Sequence, residues 1–402
     1  MSTTIPDDLI ERAGGRIVLV VMDGLGGLPD PGTGLTELEA AATPNLDRIA
    51  RGAALGLHQP AGSGVTPGSG PGHLALFGYD PIKWNIGRGV LSALGVGFDL
   101  RHGDIATRLN FATVDAAGRI TDRRAGRPSD AENQRLVKKL QDQVQSGGGV
   151  QVFFAAEKEH RLVLVIRGGG LRDGLSDTDP QETGVLPLPV TATDEAARET
   201  ANVVQTILNS ANQVLADEPT AKAVLARGFA EYGRYPAFEE RFGLRAHAVA
   251  GYPMYLGVAR LLGMQTAPVA TSDDALLQAL TRNYEQYDFH FVHFKAIDSR
   301  GEDGDFAAKV KAIEKVDALL PRIEALAPDV LIVTGDHSTP ARMRSHSWHP
   351  VPILIASQYT RPGDVRGFGE RDCMRGELGV FPAVDIMTLA LAHAGRLSKF
   401  GA

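Results

Sequence analysis

Short apolar runs alternate with longer amphipathic stretches over much of this chain, and each apolar run ends in polar, ligand-type residues. Arg16–Met22, His290–Ile297 and Asp329–Thr334 read as strands. Between the last two, Phe306, Val310, Ile313, Val316, Leu319, Ile323 and Leu326 recur at helical spacing, which predicts one core-facing stripe. A helix start is predicted at Thr43-Pro44-Asn45, with Thr43 as cap and Pro44 at the first helical position. A Gly/Pro-rich loop, Ala61–Gly72, leads into the apolar run His73–Tyr79. His247–Ala250 predicts a further strand and Met254–Leu262 a helix.

The pattern changes near Gly103. Asp104–Ile120 reads as extended chain with a turn at Asp115–Arg119, and Asp130–Gln145 as a helix with a polar face. Gln151–Ala155 and Arg161–Ile166 predict a strand pair, and Asp194–Ala216 another helix. The fold class expected is therefore α/β, a mostly parallel sheet flanked by helices and interrupted by an α+β inserted domain. Its limits are set at 1–103 with 228–402 for the outer domain and 104–227 for the insertion. At 402 residues the chain exceeds one typical core. A split domain suits it better than two in series, because the ligand-type residues lie at both ends and the middle contributes none.

A formal charge of -7 argues against nucleic acid as the main partner, although it leaves room for an anionic small molecule. Cys373 is the single cysteine, which excludes an intrachain disulfide and a thiolate zinc cluster. Met1–Gly15 has no apolar core of a secretion signal, and no apolar run reaches the length of a membrane span. A cytoplasmic enzyme with no membrane partner is the expectation.

Asp23 follows the first strand, Asp298 the second, and Asp336-His337 the third. Ligands in open α/β sheets bind outside the carboxyl ends of strands, so these residues can converge. Joined by His346 and Glu302, they point to a polynuclear metal site. Asp298 and Glu302 are four residues apart, a spacing that suits one metal if the segment forms a helical turn. Mixed oxygen and nitrogen ligands suit Mn²⁺ or Zn²⁺ better than Ca²⁺. Ser69 sits between glycines that let its hydroxyl approach a ligand, and metal activation is the economical way to make it a nucleophile. His73 and His349 read as supporting groups, and Asp303 and Asp305 as a capped helix start. Lys295 neutralises an oxyanion or forms a salt bridge. Arg108, Arg119, Arg123, Arg124 and Arg127 crowd one stretch, either a solvated face or an anion clamp, with Arg161 and Asp177–Pro180 near the same cleft.

Taken together, several motifs resemble the alkaline phosphatase superfamily and, within it, archaeal-type 2,3-bisphosphoglycerate-independent phosphoglycerate mutases. They are Val21-Met22-Asp23-Gly24, Ala42–Asp47, Thr66–Ser69 running on to Leu76–Pro81, Asn110–Asp115, Asp122–Arg127, Tyr252–Tyr255, Gly335–Ser338 and Pro350-Val351-Pro352. The resemblance spans nearly the whole chain, including the insertion. It implies that Ser69 takes the phosphoryl group of a phosphoglycerate as phosphoserine, with no bisphosphoglycerate required. It implies two divalent cations (Mn, Mg or Zn): Asp23, Ser69, Asp336 and His337 would hold one, Asp298, Glu302 and His346 the other. Substrate contacts fall to Arg108, Arg123, Arg127, Arg161 and Lys295, and Asp177 is the candidate to move the substrate proton. The insertion would grip and turn the glycerate, with domain closure excluding water. Glu302 stands where many members have histidine, which tilts the second site toward a harder cation. Leu256 stands where many have arginine. The competing readings are a phosphatase or phosphonate-processing hydrolase, and a non-catalytic metal-binding paralogue.

Overall fold

All six side chains of Ile17–Met22 are buried, as expected of a strand with neighbours on both edges and cover on both faces. The computed structural model describes residues 6–84, 86–144, 149–233, 235–361 and 363–401. In chain order the strands are β1 (Ile17–Met22), β2 (Ala54–Gln59), β3 (Ile105–Val114), β4 (Ile120–Asp122), β5 (Gln151–Lys158), β6 (Arg161–Arg167) and β7 (Ala223–Glu231). They continue as β8 (Ala246–Ala250), β9 (Gln265–Thr266), β10 (Phe289–Phe294), β11 (Val330–Thr334), β12 (Val351–Ser357) and β13 (Gly379–Pro382).

The chain divides into two compact units, Met1–Asn85 with Tyr235–Ala402, and Ile86–Arg234. The first holds a sheet of order β13-β2-β12-β11-β1-β10-β8-β9. Strand β12 runs antiparallel to both neighbours, and every other pairing is parallel. Met22 pairs with Phe294 and Val21 with Thr334, so β1, β10 and β11 end together at one edge. Val18, Val20, Val292, Leu331 and Val333 share one core with helical Ile313, Val316, Leu320 and Ile323. Each such side chain taken out of water contributes about 1.5–3 kcal/mol, which fixes the strand ends that carry the polar residues.

Three elements differ from the sequence reading. The stripe expected as one helix is two, Phe306–Asp317 and Leu320–Glu324, because Pro321 fits only the first turn of a new helix. A helix already begins at Ser69 (Ser69–Leu76) rather than after the glycine-rich loop. Strand β10 stops at Phe294, and Ala296–Asp303 is helical, so Ile297 and Asp298 belong to that helix.

The second unit is built on antiparallel strands, with β3 between β6 and β7 and β5 beyond β6. Helices Asp130–Gln143 and Arg198–Leu215 cover one face and share a core with Leu109, Phe111, Leu162 and Val224. Gln145, the expected end of the first of these helices, lies outside the described residues. The limits expected at 103/104 and 227/228 are displaced outward. The latter would cut β7, and helix Arg88–Gly95 packs on β3 and β7 so closely that a Cβ at Gly89 would lie 2.2 Å from the Ala106 carbonyl. Among the described residues no helix is long and apolar enough to cross a membrane.

Candidate metal centre

Asp23 directly follows β1, and Asp336-His337 follows β11 across Gly335. Asp298 reaches the same edge from the first turn of helix Ala296–Asp303, where the positive end of the helix dipole favours a carboxylate. Ser69 opens helix Ser69–Leu76. That helix passes so close to β11's end that a Cβ at Gly72 would sit 2.6 Å from the Asp336 carbonyl. Gly24 adopts a left-handed φ of 68° and donates its amide to Asp336 Oδ1 at 3.1 Å, locking the turn after β1 to the turn after β11.

Asp23, Asp336 and His337 each place a ligand atom within 4.8 Å of the others, and so do Asp298, His337 and His346. His337 Nε2 lies 3.1 Å from Asp336 Oδ2, 3.6 Å from Asp23 Oδ1 and 3.4 Å from Ser69 Oγ. His346 Nε2 lies 3.5 Å from Asp298 Oδ1 and 3.7 Å from Glu302 Oε1. The Glu302 side chain is about half exposed, at 53%, and lies outside both tight clusters.

Hydrogen bonding fixes the tautomers. His346 Nδ1 stands 3.0 Å from the Pro67 carbonyl, which can only accept, so Nδ1 carries the proton and Nε2 presents a lone pair. Thr339 Oγ1 donates its one proton to Asp298 Oδ1 at 2.6 Å and therefore accepts from His337 Nδ1 at 3.0 Å. His337 likewise turns a bare Nε2 toward Asp23 and Asp336, which attaches it to their cluster. Two lone pairs facing carboxylates, each histidine oriented by its other nitrogen, match the outer-shell arrangement of metal-ligating imidazoles. Asp23 Oδ1 and Asp336 Oδ2 are buried without a hydrogen-bond partner, so the residues present fit a bound cation.

Burial and the neighbouring Asp23 charge push Asp336 up to about 6. Burial acts on Asp23 in the same sense, but His293 and Lys295 outweigh it and hold that carboxyl well below its ordinary value. Lys295 hydrogen-bonds Asp298 and lies 3.3 Å from Asp23 Oδ2. Burial opposes its charge, yet those two carboxylates raise it above the usual lysine range. Burial holds His337 well below its ordinary value, which keeps Nε2 free of a proton.

Three supporting residues were not assigned a role from sequence. Tyr255 donates to Asp23 and stacks on His293 at 3.7 Å between ring centroids. His293 Nε2 lies 3.2 Å from Asp23 Oδ2. Thr339 makes the bridge described above. A histidine inside the apolar strand was the only signal for His293, Tyr255 was marked only as part of the Tyr252–Tyr255 motif, and nothing local marked Thr339. His73 donates Nδ1–H to the Ser69 carbonyl at 2.8 Å and so supports the loop. Asp305 caps the helix behind the site by accepting the Ala308 amide at 2.9 Å, and Leu256 is fully buried.

In the second unit, Arg108 and Arg161 lie on the sheet face opposite the helical core. Arg227 pairs directly with Arg108, and Asn110 with Arg161. Arg108 Nε, Arg161 Nε, Arg227 Nε, Asn110 Oδ1 and Glu157 Oε2 are all buried without a hydrogen-bond partner. Burial, then the charge of Arg88, lowers Arg108 to about 10. Sequence reading missed Arg88 and Arg227, which neighbour the others only after the chain folds. Arg123 is instead committed to Asp179 through paired bonds of 2.9 and 2.7 Å, and Arg127 is exposed. Asp177 accepts the Gly228 amide at 2.7 Å and lies 3.8 Å from Arg227 Nε.

Residues 50–221 match the family model of 2,3-bisphosphoglycerate-independent phosphoglycerate mutase. The chain is 51% identical over 399 residues to a Thermus thermophilus protein named as a probable 2,3-bisphosphoglycerate-independent phosphoglycerate mutase, with 98% of each chain covered. A Deinococcus radiodurans protein of the same name is 48% identical over 400 residues, again with 98% of each covered. Among solved structures, a protein from Pyrococcus horikoshii superposes with a TM-score of 0.82 at 30% identity, covering 97% of this chain and 100% of that one. A cofactor-independent phosphoglycerate mutase from Thermoplasma acidophilum gives 0.74 at 29% identity, covering 95% and 100%.

Proposed function

The chain belongs to the 2,3-bisphosphoglycerate-independent phosphoglycerate mutase family of isomerases, and from that premise we propose how its residues carry the reaction. The enzyme interconverts 3-phosphoglycerate and 2-phosphoglycerate, a step of glycolysis and gluconeogenesis in the cytoplasm. Ser69 takes the phosphoryl group from one hydroxyl of the glycerate and returns it to the other. Asp23, Ser69, Asp336 and His337 would hold one divalent cation, and Asp298, Glu302 and His346 a second. When bound, such cations lower the pKa of the serine hydroxyl and stabilise the attacking and leaving oxygens. Two imidazoles among five oxygen ligands suit Mn²⁺, and Glu302 in place of a third histidine keeps Mg²⁺ within reach.

The chain's own residues do the rest. Lys295, beside Asp23 and Asp298, neutralises the transferred phosphoryl oxygens. Tyr255 and His293 hold Asp23 in place, and Thr339 holds Asp298 with His337. On the second unit, Arg108 and Arg161, each with a buried Nε that has no hydrogen-bond partner, would bind anionic groups of the glycerate, a role for which Arg123, committed to Asp179, and Arg127 are less well placed.

The observation that carries this reading is the set of acceptors beside Ser69: the proton-free Nε2 of His337, 3.4 Å from its hydroxyl, and the orphaned carboxylate oxygens of Asp23 and Asp336 that this nitrogen faces. Phosphorus NMR of 3-phosphoglycerate with the purified protein and Mn²⁺, without bisphosphoglycerate, tests it. The expected result is 2-phosphoglycerate rising to a fixed ratio. Accumulation of inorganic phosphate in its place would make the protein a hydrolase and overturn the assignment.

A further inference from the structure

Lys309 is a lysine with no exposed surface, on helix Phe306–Asp317 behind the metal centre. A fully buried lysine is rare unless its ammonium is matched. Here Nζ donates to the Gly26 carbonyl at 3.0 Å and to the Thr339 carbonyl at 2.8 Å, with Glu37 Oε1 at 3.9 Å. Glu37 is itself buried and accepts the Ala341 amide at 2.7 Å. The two carbonyls belong to the turns that carry the proposed ligands: Asp23–Gly27 after β1, and Asp336–Thr339 after β11. The Thr339 amide also donates to the Gly26 carbonyl at 3.1 Å, so one amine and one amide lace the same two turns together.

Thr339 makes this consequential. Its carbonyl is held by Lys309, while its hydroxyl bridges Asp298 and His337. Helix Ala296–Asp303 rests on the same carbonyl, since a Cβ at Gly301 would come within 2.2 Å of it. Removing the amine leaves the Gly26 carbonyl with the Thr339 amide alone and the buried Thr339 carbonyl in need of another donor, which it finds only if the turns move. Ligand sites tolerate displacements of only about half an ångström.

We propose that Lys309 is a positioning residue of the cation centre, acting through Thr339 to hold Asp298 and His337 in ligating orientation. This rests on the two-cation reading above. The helix itself would be served equally by an apolar side chain of the same length, so the amine serves the turns.

Mn²⁺ titration of the metal-free full-length protein, followed by calorimetry and by the resonance of free Mn²⁺, tests the idea. In Lys309→Met, at least one of the two stepwise affinities should fall about 10- to 100-fold, the range seen on losing outer-shell partners. Far-ultraviolet circular dichroism should be unchanged. Thr339→Val should weaken the same step. The double variant should be no weaker than Thr339→Val alone, because both act along one path. A folded Lys309→Met with wild-type affinities, or losses that simply add in the double variant, overturns the proposal. If the methionine variant does not fold, Lys309→Gln, which keeps one donor, is read the same way. Wild-type protein that binds no Mn²⁺ would instead refute the underlying two-cation reading.

Discussion

His346 Nδ1 and the Pro67 carbonyl are 3.0 Å apart, so a proposed ligand of one cation is oriented by the backbone two residues ahead of Ser69. His73 makes the matching bond to the Ser69 carbonyl on the other side. The Ser69 loop and the proposed ligand cradle are thus tied by main-chain acceptors, independently of the serine hydroxyl.

Ser69→Ala should therefore abolish turnover while preserving fold and cation content, because both bonds survive the substitution. Rates of 2-phosphoglycerate formation, metal analysis and acid-quenched labelling with radioactive phosphate check it. Near-normal mutase activity in the variant would exclude a phosphoserine pathway.

Exhaustive chelation should remove activity, and added Mn²⁺ should restore it. Without a cation, Asp23 and Asp336 face one another and the bare Nε2 of His337 across a buried space. Melting temperature should consequently rise on adding Mn²⁺. Activity indifferent to a chelator, with no trace metal bound, would refute the two-cation site.

Glu302→His should move cation preference from Mn²⁺ and Mg²⁺ toward Zn²⁺ and Co²⁺, since a softer donor replaces an oxygen. Competition titrations read this directly. Unchanged preference would mean that Glu302, 3.7 Å from His346 and half exposed, is no ligand.

Arg108→Met should raise KM for phosphoglycerate at least tenfold without lowering the melting temperature. Burial and the charge of Arg88 disfavour the Arg108 cation in the folded protein, so its loss relieves the fold while removing an anion contact. A KM equal to wild type would remove Arg108 from the substrate site.

Arg123→Met should cost about 2 kcal/mol at neutral pH, discounted from the value for a fully buried pair because Arg123 keeps 28% of its surface. Burial alone would lift Asp179, but the paired bonds from Arg123 outweigh it and hold that carboxyl below its ordinary value. The stabilisation is present above the unfolded carboxyl pKa, about 4, and fades as pH falls through the lower folded value. Denaturant titrations from pH 7 to 3 should show the wild-type advantage shrinking below about pH 4. A pH-independent difference would assign the loss to packing.

The candidate ligands and the candidate nucleophile were legible in sequence because they are local events: Asp23 and Asp336-His337 each end an apolar run, and Ser69 sits among glycines. Asp298 was legible as a candidate ligand but misplaced, since nothing local distinguishes the end of β10 from the start of the helix that Lys295 caps. The single stripe over 306–326 was overread because a hydrophobic period continues through Pro321 although a helix cannot. Tertiary structure alone decided the rest. Which nitrogen of His337 and His346 is free depends on Thr339 and Pro67, the second remote in sequence. The arginine face depends on β3 meeting β6 and β7 in one register. The lacing of two turns by Lys309 depends on a helix packed beneath them. Sequence reports which groups follow each strand. The directions of their lone pairs and protons are set by partners that only folding brings within hydrogen-bonding distance.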